Sequence, residues 1–116
     1  MDYKVENKGS YVVVSTTSDK LNTTNAPDLK SEFVMITNNG PKNLILDLSS
    51  CIYCDSSGLS AILVANRLCE QIEGKFIVTG LQEEVENLIK ISLLDTILTI
   101  KDSLDEAEAY MENEAD

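Results

Sequence analysis

The sequence predicts an α/β domain built on a mixed, mostly parallel β-sheet. Three observations lead there. Short apolar runs alternate along the chain with segments of helical periodicity, the order that a parallel sheet requires. Residues 43–48 and 75–80 are apolar runs bounded by turn signals, which is how strands covered on both faces read. The first two candidate strands are joined by a short turn, so a hairpin supplies the antiparallel part of the sheet.

Each element has its own signal. Residues 3–6 alternate in polarity, and residues 7–10 contain Asn7 and Gly9, a turn. Tyr11, Val12, Val13 and Val14 are aromatic or β-branched and read as the second strand. Residues 16–25 are polar and read as a loop. Asn25 is expected as an N-cap, with Pro27 in the first turn of a helix. Leu29, Phe33 and Ile36 follow at helical spacing, and Val34 and Met35 broaden that stripe. Asn38, Asn39, Gly40 and Pro41 end the helix before the buried strand at 43–48. Leu59, Ile62, Leu63, Leu68, Cys69 and Ile72 outline a second helix of about four turns. Glu73 and Gly74 stop it, and the strand at 75–80 follows. Residues 83–94 are helical, with Val85, Leu88, Ile89 and Leu93 turned inward. Residues 97–100 form the last strand. Ser103 and Glu106 make a capping box, and Leu104, Ala107 and Met111 give the final helix a narrow apolar stripe. The order is β-β-α-β-α-β-α-β-α.

The 116 residues suit a single domain spanning 1–116, and a hydrophobic content of 43% is enough for one core. Nine Lys+Arg against twenty Asp+Glu leave a net charge of −11. Such a chain repels phosphate backbones and anionic membranes, so nucleic acid and membrane surfaces are set aside as partners. Residues 102–116 hold seven acidic side chains and no basic one. They read as a solvated helix face whose end frays from about residue 110; the alternative is a docking tail for a basic partner. No stretch is apolar long enough to span a bilayer, and the first residues lack the apolar run of a signal peptide. This reading places the chain in the cytoplasm.

The chain has no histidine. Ser-His-Asp and Cys-His catalysis are therefore excluded, and the commonest metal ligand is missing. No glycine-rich phosphate loop is present, so ATP hydrolysis is not expected. The chain reads as a non-enzyme without metal or cofactor. Cys51 and Cys54 have C-x-x-C spacing, but a redox pair would have to open a helix with one thiol exposed. As a zinc site the pair lacks a second pair and any histidine. These thiols and Cys69 read as core packing.

Asp55, Ser56, Ser57, Gly58 and Leu59 lie where a strand gives way to a helix, at the end of the sheet where sites of open α/β folds gather. Either Asp55 or Ser57 serves as N-cap; in both cases Ser56 falls at the helix mouth. There the free N–H groups and the macrodipole favour an anion, such as a phosphate carried by Ser56. On these five residues alone, a plain capped helix start is the more economical reading. Gly58 departs from it, because glycine in a first helical turn costs roughly 0.5–1 kcal/mol against alanine. Close approach of another backbone or a ligand would account for it.

The run Leu44, Ile45, Leu46, Asp47, Leu48, followed by Tyr53, Cys54, Asp55, Ser56, Ser57, Gly58 and Leu59, resembles the STAS superfamily. The segment is most similar to the bacterial anti-sigma factor antagonists. The element order agrees over nearly the whole chain, as does the stretch 20–29 before the first helix. The resemblance implies that Ser56, directly after the Asp, is a phosphorylation site. It implies that the unphosphorylated chain binds an anti-sigma factor that is also a serine kinase of the histidine-kinase-like ATPase fold. The sigma factor is thereby released; phosphorylation ends the binding, and a metal-dependent serine phosphatase resets the chain. The same resemblance draws Asn22, Thr23, Asp55, Ser57, Gly58, Leu59, Gly80 and Leu81 into the surface around the phosphosite. Many relatives carry Asp where Asn22 stands; Asn keeps the size and hydrogen bonding and drops the charge. The alternative is a STAS subunit docked permanently in a larger assembly, such as a lipid transporter. Residues 55–58 favour the switch, since a permanent dock needs no phosphorylatable serine.

Overall fold

The computed structural model describes residues 2–114 and begins with the expected hairpin, β1 (Tyr3–Asn7) antiparallel to β2 (Tyr11–Thr16). The chain continues through β3 (Lys20–Leu21), α1 (Ala26–Asn39), β4 (Asn43–Asp47), β5 (Tyr53–Cys54) and α2 (Ser56–Gln71). It closes with β6 (Phe76–Thr79), α3 (Glu83–Ile91), a single 3-10 turn at Leu94–Thr96, β7 (Thr99–Lys101) and α4 (Leu104–Glu114). The main sheet has the order β1-β2-β4-β6-β7, parallel throughout except for the hairpin. The predicted α/β class and mixed, mostly parallel sheet are what the structure shows.

The inner strands β2, β4 and β6 are apolar on both sides because both sides are covered. Val12, Val14, Leu44, Leu46, Phe76 and Val78 face α1, α2 and α3 in the larger core. The intervening Tyr11, Val13, Ile45 and Ile77 face α4, which meets them with Ala107 and Met111. Parallel register aligns these layers: Val13 pairs with Ile45, and Ile45 with Ile77. Burying each such side chain contributes roughly 1.5–3 kcal/mol. Polar bonds fasten α4 at both edges of its patch. The Tyr11 hydroxyl donates to Glu108 Oε2 at 2.6 Å, and the Tyr110 ring lies 4.7 Å from Lys101 Nζ. Burial and the Glu108 carboxylate push the Tyr11 phenol well above its ordinary range.

Several sequence expectations need correction. The polar loop at 16–25 contains β3, which pairs with β5 in a small parallel sheet of two-residue strands. Val34 and Met35 do not join the α1 stripe; they are exposed, and Leu29, Phe33 and Ile36 carry the packing. The buried face of α2 is built from small residues, Gly58, Ala61 and Ala65, with Ile62 and Cys69. Leu63 is only half-buried, and Ile72 lies past the helix end and is exposed. α3 stops at Ile91, three residues short of the expected end; Leu93 is exposed rather than inward. The last strand begins at Thr99, and Ile97 belongs to the turn before it. Residues 110–114, expected to begin a frayed tail, are helical with Met111 fully buried; residues 115 and 116 lie outside the described residues. The capping box is present in shifted form. Ser103 Oγ accepts from the Glu106 N–H at 3.2 Å, while Glu106 accepts from the N–H of Asp102, one residue before the cap.

Met111→Ala tests the role of α4 as cover for the second face. Denaturant unfolding is expected to show a loss of about 2–5 kcal/mol, as for other fully buried Met-to-Ala changes. A loss below about 0.5 kcal/mol, the size of an ordinary surface effect, would show that the helix end does not pack.

Candidate functional site

Asp55 opens α2. Its backbone is extended, and Oδ1 accepts from the N–H of Ser57 at 2.9 Å and of Gly58 at 3.1 Å. Of the two possible caps, Asp55 is therefore the one used. The bonds satisfy donors that a helix leaves unpaired, and they set negative charge against the positive end of the macrodipole. Ser56 is the first residue of α2 and is exposed; Ser57 and Leu59 are half-buried, and Gly58 is buried.

This cap alters the case for a phosphate at the helix mouth. Two of the N–H groups that could cradle an anion are already held by the Asp55 carboxylate. A phosphate on Ser56 would stand one residue from that carboxylate and would be turned toward solvent by like-charge repulsion. Its effect would be charge added to a surface, with the helix start unchanged.

Gly58 is needed for close approach. A Cβ there would stand 2.5 Å from Cys54 Sγ and 2.6 Å from the Leu21 carbonyl oxygen. The same Leu21 carbonyl accepts from the Asp55 N–H at 3.2 Å. β3, β5 and the first turn of α2 thus meet at one point. Neither Leu21 nor Cys54 was singled out from sequence as part of this contact; the glycine at an unfavourable position was the signal.

Asn22 follows Leu21 in a hydrogen-bonded turn. Its N–H donates to Asn25 Oδ1 at 2.9 Å, and its own Oδ1 accepts from the Thr24 N–H at 3.0 Å. Asn25 Nδ2 donates to the Lys20 carbonyl at 2.8 Å. Asn25 occupies the N-cap position of α1 but makes no side-chain cap bond there; its amide braces the preceding loop instead. Thr23 is exposed in the same turn. Asn22 and Thr23 are therefore joined through Leu21 to the backbone of Asp55.

Gly80 and Leu81 sit further along the rim. Gly80 has φ +74°, and a Cβ there would stand 2.7 Å from Asp47 Oδ1 and 2.9 Å from Ser49. Its neighbours are thus the end of β4 and the following turn. Gln82 extends that contact, donating from Nε2 to the Ser49 carbonyl at 2.7 Å. Leu81 packs against the larger core.

Beside Ser56 runs an open groove of about 370 Å³. Leu59, Leu63, Val64 and Arg67 of α2 line one side, and Ser92 and Leu94 the other. Sequence reasoning missed it, because its second wall comes from the connection between α3 and β7.

The three cysteines are free and buried. Burial pushes the Cys51 thiol up, and pushes Cys54 and Cys69 up to about 12. They are packing groups, as their spacing and setting suggested. Among the described residues, no group of three or more His, Cys, Asp or Glu could hold a metal ion. No described helix is long and apolar enough to cross a membrane.

Residues 3–107 match the STAS domain, and the chain belongs to that family. Relatives in the family are named anti-sigma factor antagonists. One of them, BtrV of Bordetella bronchiseptica, is 27% identical over 89 residues, which span 77% of this chain and 77% of the relative. A solved structure from Thermotoga maritima, also described as an anti-sigma factor antagonist, superposes with a TM-score of 0.87 at 26% identity; 95% of this chain and 94% of the other are covered. Bacillus SpoIIAA in its phosphorylated form shares the fold, with a TM-score of 0.75 and 16% identity over 94% of this chain and 98% of that one.

Gly58→Ala is expected to destabilise the chain by about 1–3 kcal/mol in denaturant unfolding, the usual cost of overpacking. An unchanged midpoint would mean that Leu21 and Cys54 yield freely. The thiols give a pH test. The folded chain keeps protons that the unfolded chain releases above its ordinary thiol value of 9.0, and the raised tyrosines act in the same direction. This stability is fully present below that value and is lost as pH rises toward the folded value. The melting temperature is therefore expected to fall steadily between about pH 9 and pH 11. A thiol reagent at about pH 8 is expected to find no cysteine in the folded chain and all three after unfolding. One fast-reacting thiol in the native chain would contradict the burial.

Proposed function

We propose that this chain is an anti-sigma factor antagonist switched at Ser56. The observation that carries the reading is an exposed serine at the first position of α2, directly after the capping Asp55, in a STAS domain whose relatives bear that name. In the unphosphorylated state the rim around Ser56 binds an anti-sigma factor, which releases its sigma factor. That partner is also a serine kinase of the histidine-kinase-like ATPase fold. It transfers a phosphoryl group from ATP to Ser56 Oγ, the hydroxyl proton being lost and ADP leaving. The modification adds about −1.5 to −2 charges beside a carboxylate that cannot move away without uncapping the helix. Binding ends through charge and bulk at the contact surface, while the domain itself keeps its structure. A serine phosphatase hydrolyses the phosphoester and restores the hydroxyl. The chain is substrate and ligand in this cycle, works in the cytoplasm where sigma factors act, and needs no cofactor of its own.

Purified chain, ATP and the histidine-kinase-like protein of the same organism test the switch by intact mass. Wild type is expected to gain one phosphate and Ser56→Ala none. Ser56→Asp is expected to weaken binding to the kinase by about tenfold or more, with a melting curve close to wild type. A wild type that stays unlabelled, or a mutant labelled equally, would sink the switch; unchanged affinity of Ser56→Asp would favour a permanently docked subunit.

A further inference from the structure

The exposed face of α2 continues well beyond Ser56. Ser56, Ser60, Leu63 and Arg67 recur at spacings of four, three and four residues, on the side opposite the buried Ala61, Ala65 and Cys69. They form one wall of the groove beside Ser56. Two residues of this region are placed unusually. Arg67 is the sole arginine of the chain and is exposed. It makes no ion pair with any described carboxylate, although the chain holds twenty acidic residues. Leu93, next to the opposite wall, is 68% exposed and is held at φ 61°, ψ 18°. That conformation is strained for leucine and free of cost for glycine. The left-handed turn ends α3, as Glu73 does after α2, and glycine would serve that stop as well; here a leucine stands at it with its side chain in solvent. Ile91 and Ile97, on either side of Leu93 in sequence, are 80% and 56% exposed, so this part of the chain presents apolar surface to solvent.

The geometry points to a docking surface for one segment of the anti-sigma factor, apolar along its length and carrying a carboxylate that pairs with Arg67. This rests on the reading of the chain as an anti-sigma factor antagonist. Charge complementarity selects the occupant. An isolated guanidinium at the end of an apolar groove recognises a carboxylate, with bidentate geometry available. Eleven residues of helix separate Ser56 from Arg67, about 16 Å along the axis, which matches roughly five residues of extended chain. A phosphate on Ser56 lies too far from Arg67 to be neutralised by it. It places negative charge in the path of a segment that is apolar and acidic. The occupant's chemistry therefore explains why phosphorylation repels what the unmodified groove attracts.

Calorimetric titration of the full chain into the purified histidine-kinase-like protein of the same organism tests this, with intact mass after ATP addition as the second readout. Arg67→Glu is expected to weaken binding by about tenfold or more. Leu93→Gly is expected to weaken it by about fivefold while melting no lower than wild type, because glycine relieves the positive φ. Wild-type affinity in both variants, with wild type bound and labelled on Ser56, overturns the groove and leaves the switch standing. A wild type that binds no kinase at all overturns both. A wild-type dimer that Arg67→Glu turns into a monomer assigns the groove to a second copy and also overturns the proposal.

Discussion

Leu44, Ile45 and Leu46 of β4 are fully buried, and they alternate between the two sides of the sheet. A strand apolar on both faces cannot stand with one face in water, so every other element is arranged to cover it. α1, α2 and α3 share one side and pack into a common core. α4 alone closes the other, with two buried side chains and a set of polar ties at its margins. Three crossover helices on one side leave the carboxyl ends of the parallel strands, and the turns that lead from them into helices, along a single rim. The candidate site lies on that rim because the double-faced strand puts it there.

At the rim the chain holds Ser56 by short-range bonds. Asp55 grips the first turn of α2, the Leu21 carbonyl grips Asp55, and Gly58 lets the two backbones close on each other. The Asn22–Asn25 turn braces the strand that carries Leu21. The backbone that presents the hydroxyl is thus held in place, and the side chain is exposed. In the proposed switch the message is carried by charge on a rigid surface, and no element of the domain has to refold.

The central strands and the helices were legible because their signals are clear: uninterrupted apolar runs in β4 and β6, helical spacing of apolar residues, and stops at Gly40-Pro41 and Gly74. β3 and β5 were not, since two residues give no periodicity and their pairing is fixed by chain segments more than thirty residues apart. The choice of cap between Asp55 and Ser57 was equally closed to sequence, because both residue types cap helices and only the backbone shows which one is extended. Ser56 itself was legible through family resemblance more than through its local chemistry. The groove had no signal at all beyond a lone arginine, since adjacency of α2 to the α3–β7 connection is a tertiary fact. Leu93 failed for a related reason. Its spacing suits an inward helix position, but the helix ends two residues earlier and the backbone turns left-handed.

The cysteines shape what can be done with the molecule. All three sulfurs are enclosed, with raised thiol values and no disulfide among them. A cysteine engineered at an exposed position such as Ser92 would be the one sulfur open to a maleimide dye in the folded chain. No native residue would first have to be removed, so the core could stay as it is. Fluorescence at that position would then report, in real time and in solution, whatever arrives at the wall opposite Arg67.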